Sequence, residues 1–175
     1  MTIDPFSILL NSEREARRSA LSYPVTRPPE VLFTGIGFSL RGYLLAVSID
    51  TVCEVMPYPR ITPIPGIKDW VCGIAAIRGQ VLPVVELATA LGGCTNAFNE
   101  KSKVLSLKYR ETIIGVVVDE VFGSRRFLFG EKIDPGLTDK NWISPYLEGA
   151  FLQKKQVWNI LSVAALEKSG VLSSV

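Results

Sequence analysis

Histidine is absent from all 175 residues of the chain. Its absence removes Ser-His-Asp and Cys-His catalysis, the HExxH zinc motif and any phosphohistidine relay carried here. An acidic pair or a lysine remains as a catalytic option, but the sequence shows no convergent acidic pair, so no catalytic residue is assigned. Long apolar runs are also missing. The longest, such as residues 113–118, are strand length and fall short of the roughly 20 residues a membrane helix needs. The opening Met-Thr-Ile-Asp-Pro lacks the basic, apolar and cleavage regions of a signal peptide, so the chain reads as cytoplasmic, without direct membrane insertion. Charge of one sign is scarce. A net charge of +2 gives no footprint for nucleic acid. Arg14, Arg17 and Arg18 interleave with Glu13 and Glu15, which reads as a solvated helix face. Cysteine is sparse: Cys53, Cys72 and Cys94 are odd in number and lack CxxC spacing. They stand among apolar or small residues, which predicts buried or inert thiols and no metal site. No P-loop appears, and Gly35-Ile36-Gly37 starts a dinucleotide fingerprint that fails at Leu40. No cofactor is therefore expected.

What is present is apolar and periodic. Hydrophobic residues make up 47% of the chain and mean hydropathy is +0.27, enough for a well-buried core. Residues 4–21 read as a helix, with Asp4 as cap, Pro5 in the first turn, and Phe6, Leu9 and Leu10 on one face. Three prolines in residues 23–29 predict an extended linker. After residue 30 the period changes from helical to alternating. Ile36, Phe38 and Leu40, then Leu45, Val47 and Ile49, flank Arg41-Gly42 as a hairpin. Residues 52–56 continue as strand, and residues 57–66, with four prolines, read as irregular. Residues 70–77 and 81–85 flank Arg78-Gly79-Gln80 as a second hairpin. A short helix follows from Glu86 to Leu91, stopped by Gly92-Gly93. Strand patterns return at 104–109, 112–118, 127–129, 150–153 and 156–161. Ser162 then caps a closing helix.

The second half echoes the first. Ala46-Val47-Ser48-Ile49-Asp50-Thr51-Val52 matches Gly115-Val116-Val117-Val118-Asp119-Glu120-Val121. Gly73 and the run Leu82 to Ala90 fall without gaps on Gly149 and the run Trp158 to Leu166. Each half holds a hairpin ending in Asp-x-Val, an irregular segment, another hairpin and a short helix, which predicts a duplicated β unit. Asp50 and Asp119 occupy equivalent places, which argues for a turn or cap role over paired catalysis.

Four phrases in order carry a family resemblance. They are Asp50-Thr51-Val52-Cys53-Glu54-Val55, Ile61-Thr62-Pro63-Ile64-Pro65, Gly73-Ile74-Ala75-Ala76-Ile77-Arg78-Gly79 and Leu82-Pro83-Val84-Val85-Glu86-Leu87. With Ile114-Gly115-Val116-Val117-Val118-Asp119-Glu120-Val121 they resemble the CheW family of chemotaxis coupling proteins over roughly residues 33–168. The pattern departs at Ala76, where the family has Asn, and at Glu86, where it has Asp. Ala76 puts the shape of the turn carrying Arg78 in question.

The resemblance implies a mainly β fold of two SH3-like five-stranded barrels with short helices. It divides the chain into an arm and linker (1–30), a CheW-like body (31–168, its barrels divided near 95–103) and a tail (169–175). It implies a non-catalytic adaptor that joins a chemoreceptor's cytoplasmic hairpin tip to the regulatory domain of a CheA-type histidine kinase, at membrane receptor arrays. The long arm and Gly35-Ile36-Gly37-Phe38 resemble the pilus-associated branch and point to twitching motility, with flagellar chemotaxis the alternative pathway. By the same resemblance Val52, Glu54, Val55 and Met56 are kinase-interface candidates. Ile49, Ile74, Arg78 and Val104 are receptor-interface candidates, and Gly73 and Gly79 are structural turn positions. Strand alternation puts Val52 and Glu54 on one face and Cys53 and Val55 on the other. A small-molecule-binding β-barrel is the competing class; small barrels fill their interiors with side chains, which argues against it.

Overall fold

The computed structural model describes residues 30–94, 101–134 and 142–172. The helix expected at 4–21 and the linker at 23–29 lie outside the described residues. The body is Val31–Val175. Its strands are β1 (Val31–Leu40), β2 (Tyr43–Ser48), β3 (Val52–Pro57), β4 (Ile61–Thr62), β5 (Val71–Ile77) and β6 (Gln80–Val85). A one-turn helix α1 (Leu87–Ala90) follows. Then come β7 (Lys103–Tyr109), β8 (Thr112–Val118), β9 (Glu120–Leu128), β10 (Lys132–Ile133), β11 (Leu147–Gln153), β12 (Gln156–Leu161) and helix α2 (Val163–Ser169).

Three of the hairpins turn on two successive residues at positive φ. Arg41 and Gly42 have φ of 53° and 81°, Arg78 and Gly79 have 49° and 80°, and Lys154 and Lys155 have 50° and 66°. Two successive left-handed residues are the signature of the type I′ turn, whose twist matches that of paired strands. Ala76 does not disturb the turn at Arg78. It lies within β5, paired with Val81, two residues before the turn begins.

The strands form two six-stranded sheets, ordered β10-β11-β12-β2-β1-β9 and β3-β7-β8-β6-β5-β4. The sequence echo appears here at the level of single pairings. Ile160 pairs with Ala46 where β12 runs parallel to β2, and Val84 pairs with Gly115 where β6 runs parallel to β8. The two pairings are the same contact with the halves interchanged. The bulge between Val71 and Gly73 likewise recurs between Leu147 and Gly149. The amides of Glu86 and Ser162 donate to the carbonyls of Trp70 and Tyr146, both at 2.8 Å.

The expected division near 95–103 does not separate the sheets. Each sheet takes the opening hairpin of one half and the later strands of the other: β1 and β2 join β9–β12, while β3–β6 join β7 and β8. The chain crosses between sheets after Ser48 and after Val118, beside Asp50 and Asp119. Both aspartates sit at turns. The Asp50 amide donates to Ser48 Oγ at 3.3 Å, and Asp119 Oδ2 accepts from the Arg41 amide at 2.6 Å. A second correction concerns β9. The pattern predicts strand only at 127–129, whereas β9 starts at Glu120, because Gly123-Ser124-Arg125-Arg126 hides its alternation. Main-chain pairing along β1 holds it in place.

Among the described residues, three clusters form the core. The largest lies between the sheets and gathers Phe38, Leu40, Leu45 and Val47 with Val85, Leu105, Leu107, Val116, Val118 and Leu161. A second, of Met56, Ala75, Leu82, Val84, Val104 and Val117, comes wholly from the β3 sheet. A third, of Ala46, Phe127, Phe151, Trp158 and Ile160, comes wholly from the β9 sheet. A sheet can supply a core to itself only by curling. Side chains bridge strands that are not neighbours: Arg125 Nη1 on β9 donates to Gln153 Oε1 on β11 at 3.1 Å, and Gln153 Nε2 donates to the Arg126 carbonyl at 3.1 Å. A buried ion pair fastens one sheet to the other, joining Arg41 at the β1–β2 turn to Glu86 at the start of α1.

Candidate functional site

A groove of about 220 Å³ opens on the β3 sheet, lined by Cys53, Glu54 and Met56 from β3, Leu82 and Val81 from β6, Ser106 from β7 and Ile113 from β8. Arg78 stands at its rim, lifted there by the type I′ turn. Its Nη2 donates to Glu54 Oε1 at 2.7 Å, joining the β5–β6 turn to the edge strand β3. The Arg78 side chain is 80% exposed and that of Glu54 is 34% exposed. Ion pairs this accessible contribute about 0–1 kcal/mol. The pair therefore adds little to stability and is available to a partner. Ser106 Oγ donates to the Glu54 carbonyl at 3.1 Å and fixes the strand beneath it.

The candidate residues distribute unevenly. Glu54 and Arg78, expected to face two different partners, meet at one rim. Val52 does not share a face with Glu54, because a bulge between them breaks the alternation. Val52 instead packs on the inter-sheet core, while Val55 is exposed. Met56 is 8% exposed and forms the groove floor, and Val104 is fully buried against it. Val104 thus presents no surface to a receptor as the structure stands. Ile49 is exposed on the turn after β2, and Ile74 is half-buried in β5; neither lines the groove.

Gly73 is buried with φ of 133°, and a Cβ there would lie 2.2 Å from the Thr62 carbonyl oxygen. It is a point of close backbone approach. Gly79 faces open space at the second turn position. All three cysteines are free; Cys53 and Cys94 are exposed, so of the expected buried or inert thiols these two are not buried. Burial, reinforced by the Glu86 carboxylate, pushes the half-buried Cys72 thiol up to about 11. A thiol so raised is a poor nucleophile at neutral pH. Among the described residues, no group of three His, Cys, Asp or Glu side chains is placed to hold a metal ion. No helix among them is long and apolar enough to cross a membrane.

Sequence reading missed Cys53, Val81 and Ile113 as groove residues. The signal for Ile113 was its alternation with Ile114, which turns one of two adjacent isoleucines outward. Val81, 68% exposed, stands at the same outward phase of β6.

Comparison with known proteins gives a consistent result. The CheW-like domain profile matches residues 34–170. PilI of Pseudomonas aeruginosa is 32% identical over 93% of this chain and 90% of its own length. The chemotaxis protein CheW of Thermotoga maritima is 29% identical over 62% of this chain and 71% of its own. The crystal structure of the scaffolding protein CheW from Thermoanaerobacter tengcongensis superposes with a TM-score of 0.65 at 22% identity, covering 77% of this chain and 90% of that one. With two curled sheets, a duplicated β unit and a profile match over most of its length, the chain belongs to the CheW-like domain family.

Proposed function

We propose that this protein is a non-catalytic adaptor that holds a chemoreceptor tip and the regulatory domain of a CheA-type histidine kinase in one complex. Its place is the cytoplasmic face of a receptor array. No bond is made or broken on it; receptor state biases the kinase because both are held at fixed positions. The observation that carries the reading is the Glu54–Arg78 pair at the mouth of a groove floored by Met56 and Leu82. A charged rim around a water-excluding centre is the anatomy of a protein interface. The groove, with Glu54 and Met56, is the kinase-facing surface in this reading; Val55 is exposed on the other face of β3 and does not line it. Arg78 shares that surface through its pairing with Glu54, and Ile49 and Ile74 are left as the receptor-facing residues. The match to PilI spans nearly the whole chain, which supports the pilus-associated branch and twitching motility. The finer architecture in the same reading is two SH3-like barrels, each with five longer strands and a two-residue strand, β4 or β10. The self-contained core of each sheet supports it.

Charge reversal at the rim tests the surface. Arg78→Glu and Glu54→Arg should each weaken kinase-domain binding about tenfold, equivalent to about 1.4 kcal/mol, measured by titration calorimetry. The double reversal should recover most of that loss, since the pair is rebuilt in the opposite sense. Unchanged affinity in both single variants would remove this groove from the interface.

A further inference from the structure

The open groove has a filled counterpart in the other sheet. Both edge strands carry a bulge at the equivalent place: the register slips between Val52 and Glu54 on β3, and between the partners of Gly37 and Phe38 on β9. Cys53 and Phe122 are the extra residues of these two bulges, and a bulge re-aims its side chain. By the internal echo Met56 then corresponds to Arg125, and Leu82 to Trp158. In the β9 sheet Phe122 meets the Trp158 ring edge-on at 5.7 Å, and the Arg125 guanidinium lies 4.0 Å from the centre of the same ring. In the β3 sheet the smaller Cys53, Met56 and Leu82 surround open space at that position.

The size and polarity of this space suit one occupant. About 150 Å³ of apolar cavity suffices to hold a benzene molecule, and the groove provides about 220 Å³. Glu54 and Arg78 neutralise one another at the rim, so an uncharged group enters without an unpaired charge beside it. Val81, at 68% exposure, and Ile113, at 41%, add uncovered apolar surface to a mouth that also carries Glu54, Arg78 and Gln80. We propose that the groove is completed by one aromatic side chain of the kinase regulatory domain, standing where Phe122 stands in the other sheet. The proposal rests on the adaptor reading and names what enters its groove.

Transplanting the protein's own plug tests it. Cys53→Phe in the full chain should keep the melting temperature within a few degrees, because the β9 sheet accommodates Phe at the same bulge. Its affinity for the kinase regulatory domain should fall at least about tenfold, while Cys53→Ser stays within about twofold of the parent. In the unmodified protein, bound kinase domain should slow alkylation of Cys53 while leaving the other exposed thiol, Cys94, unaffected; this readout decides the matter if Cys53→Phe does not fold. Full kinase-domain affinity in a folded Cys53→Phe overturns the proposal and leaves the adaptor reading intact. So does loss of receptor-tip binding alone, or equal alkylation of Cys53 with and without the kinase domain. An unmodified protein that does not bind the kinase domain overturns the adaptor reading itself.

Discussion

Replacing Gly73 with alanine is expected to destabilise the fold by about 3–5 kcal/mol, read from the denaturant midpoint. Two costs combine. At φ of 133° the backbone is in a region that L side chains rarely adopt, and the added Cβ would lie 2.2 Å from the Thr62 carbonyl oxygen. The obstacle is main chain, so no rotamer change relieves it. Relief requires separating β4 from β5, whose pairing of Thr62 with Ile74 adjoins the bulge. The duplication supplies the control. Gly149 holds the equivalent position in β11, yet a Cβ there meets nothing within 4 Å. Gly149→Ala should therefore change stability by less than about 1 kcal/mol. Equal losses in the two variants would show that the glycines act through chain entropy and not through this contact.

Glu86→Ala should cost a similar amount, about 3–5 kcal/mol, by leaving a buried guanidinium without its counter-charge. The side chains of Arg41 and Glu86 are only 12% and 6% exposed, in contrast to the open Arg78–Glu54 pair. Arg41 belongs to the hairpin of one sheet and Glu86 to the chain of the other, so the loss falls on the contact between sheets. Replacing both partners, Arg41→Met with Glu86→Leu, should recover most of the stability, because apolar groups of similar volume need no counter-charge. Guanidinium unfolding of the single and double variants checks this. A double variant as unstable as Glu86→Ala would mean that Glu86 acts chiefly through other partners.

These positions show what sequence reading captures. The β1–β2 and β5–β6 hairpins were legible because local chemistry specifies them: an Arg-Gly loop between alternating strands. The β11–β12 hairpin was legible from its strands alone, its Lys154-Lys155 loop holding positive φ without a glycine. The echo identified equivalent residues well enough that Ile160–Ala46 and Val84–Gly115 emerge as one contact seen twice. Which hairpin joins which sheet was not legible. That choice is made by the inter-sheet core, where Leu45 and Val47 meet Val116 and Val118 from the other half. The beginning of β9 was missed because its polar residues are held by main-chain pairing and by Arg125 stacking on Trp158, neither of which leaves a period-two signature. Glu54 and Arg78 were both visible as candidates, but their meeting depends on the curl of the sheet. The burial of Val104 was not legible, because a small aliphatic residue in a strand looks the same whether it lines a surface groove or a sealed core.

The central claim is that one chain holds two partners together. The most direct measurement is a three-way binding assay with purified full-length protein, the receptor's cytoplasmic tip and the kinase regulatory domain. The adaptor reading predicts that each partner binds the protein alone and that all three co-elute as one complex, with receptor tip and kinase domain bridged only when the protein is present. Failure of either partner to bind, or a protein that takes them only one at a time, would contradict it.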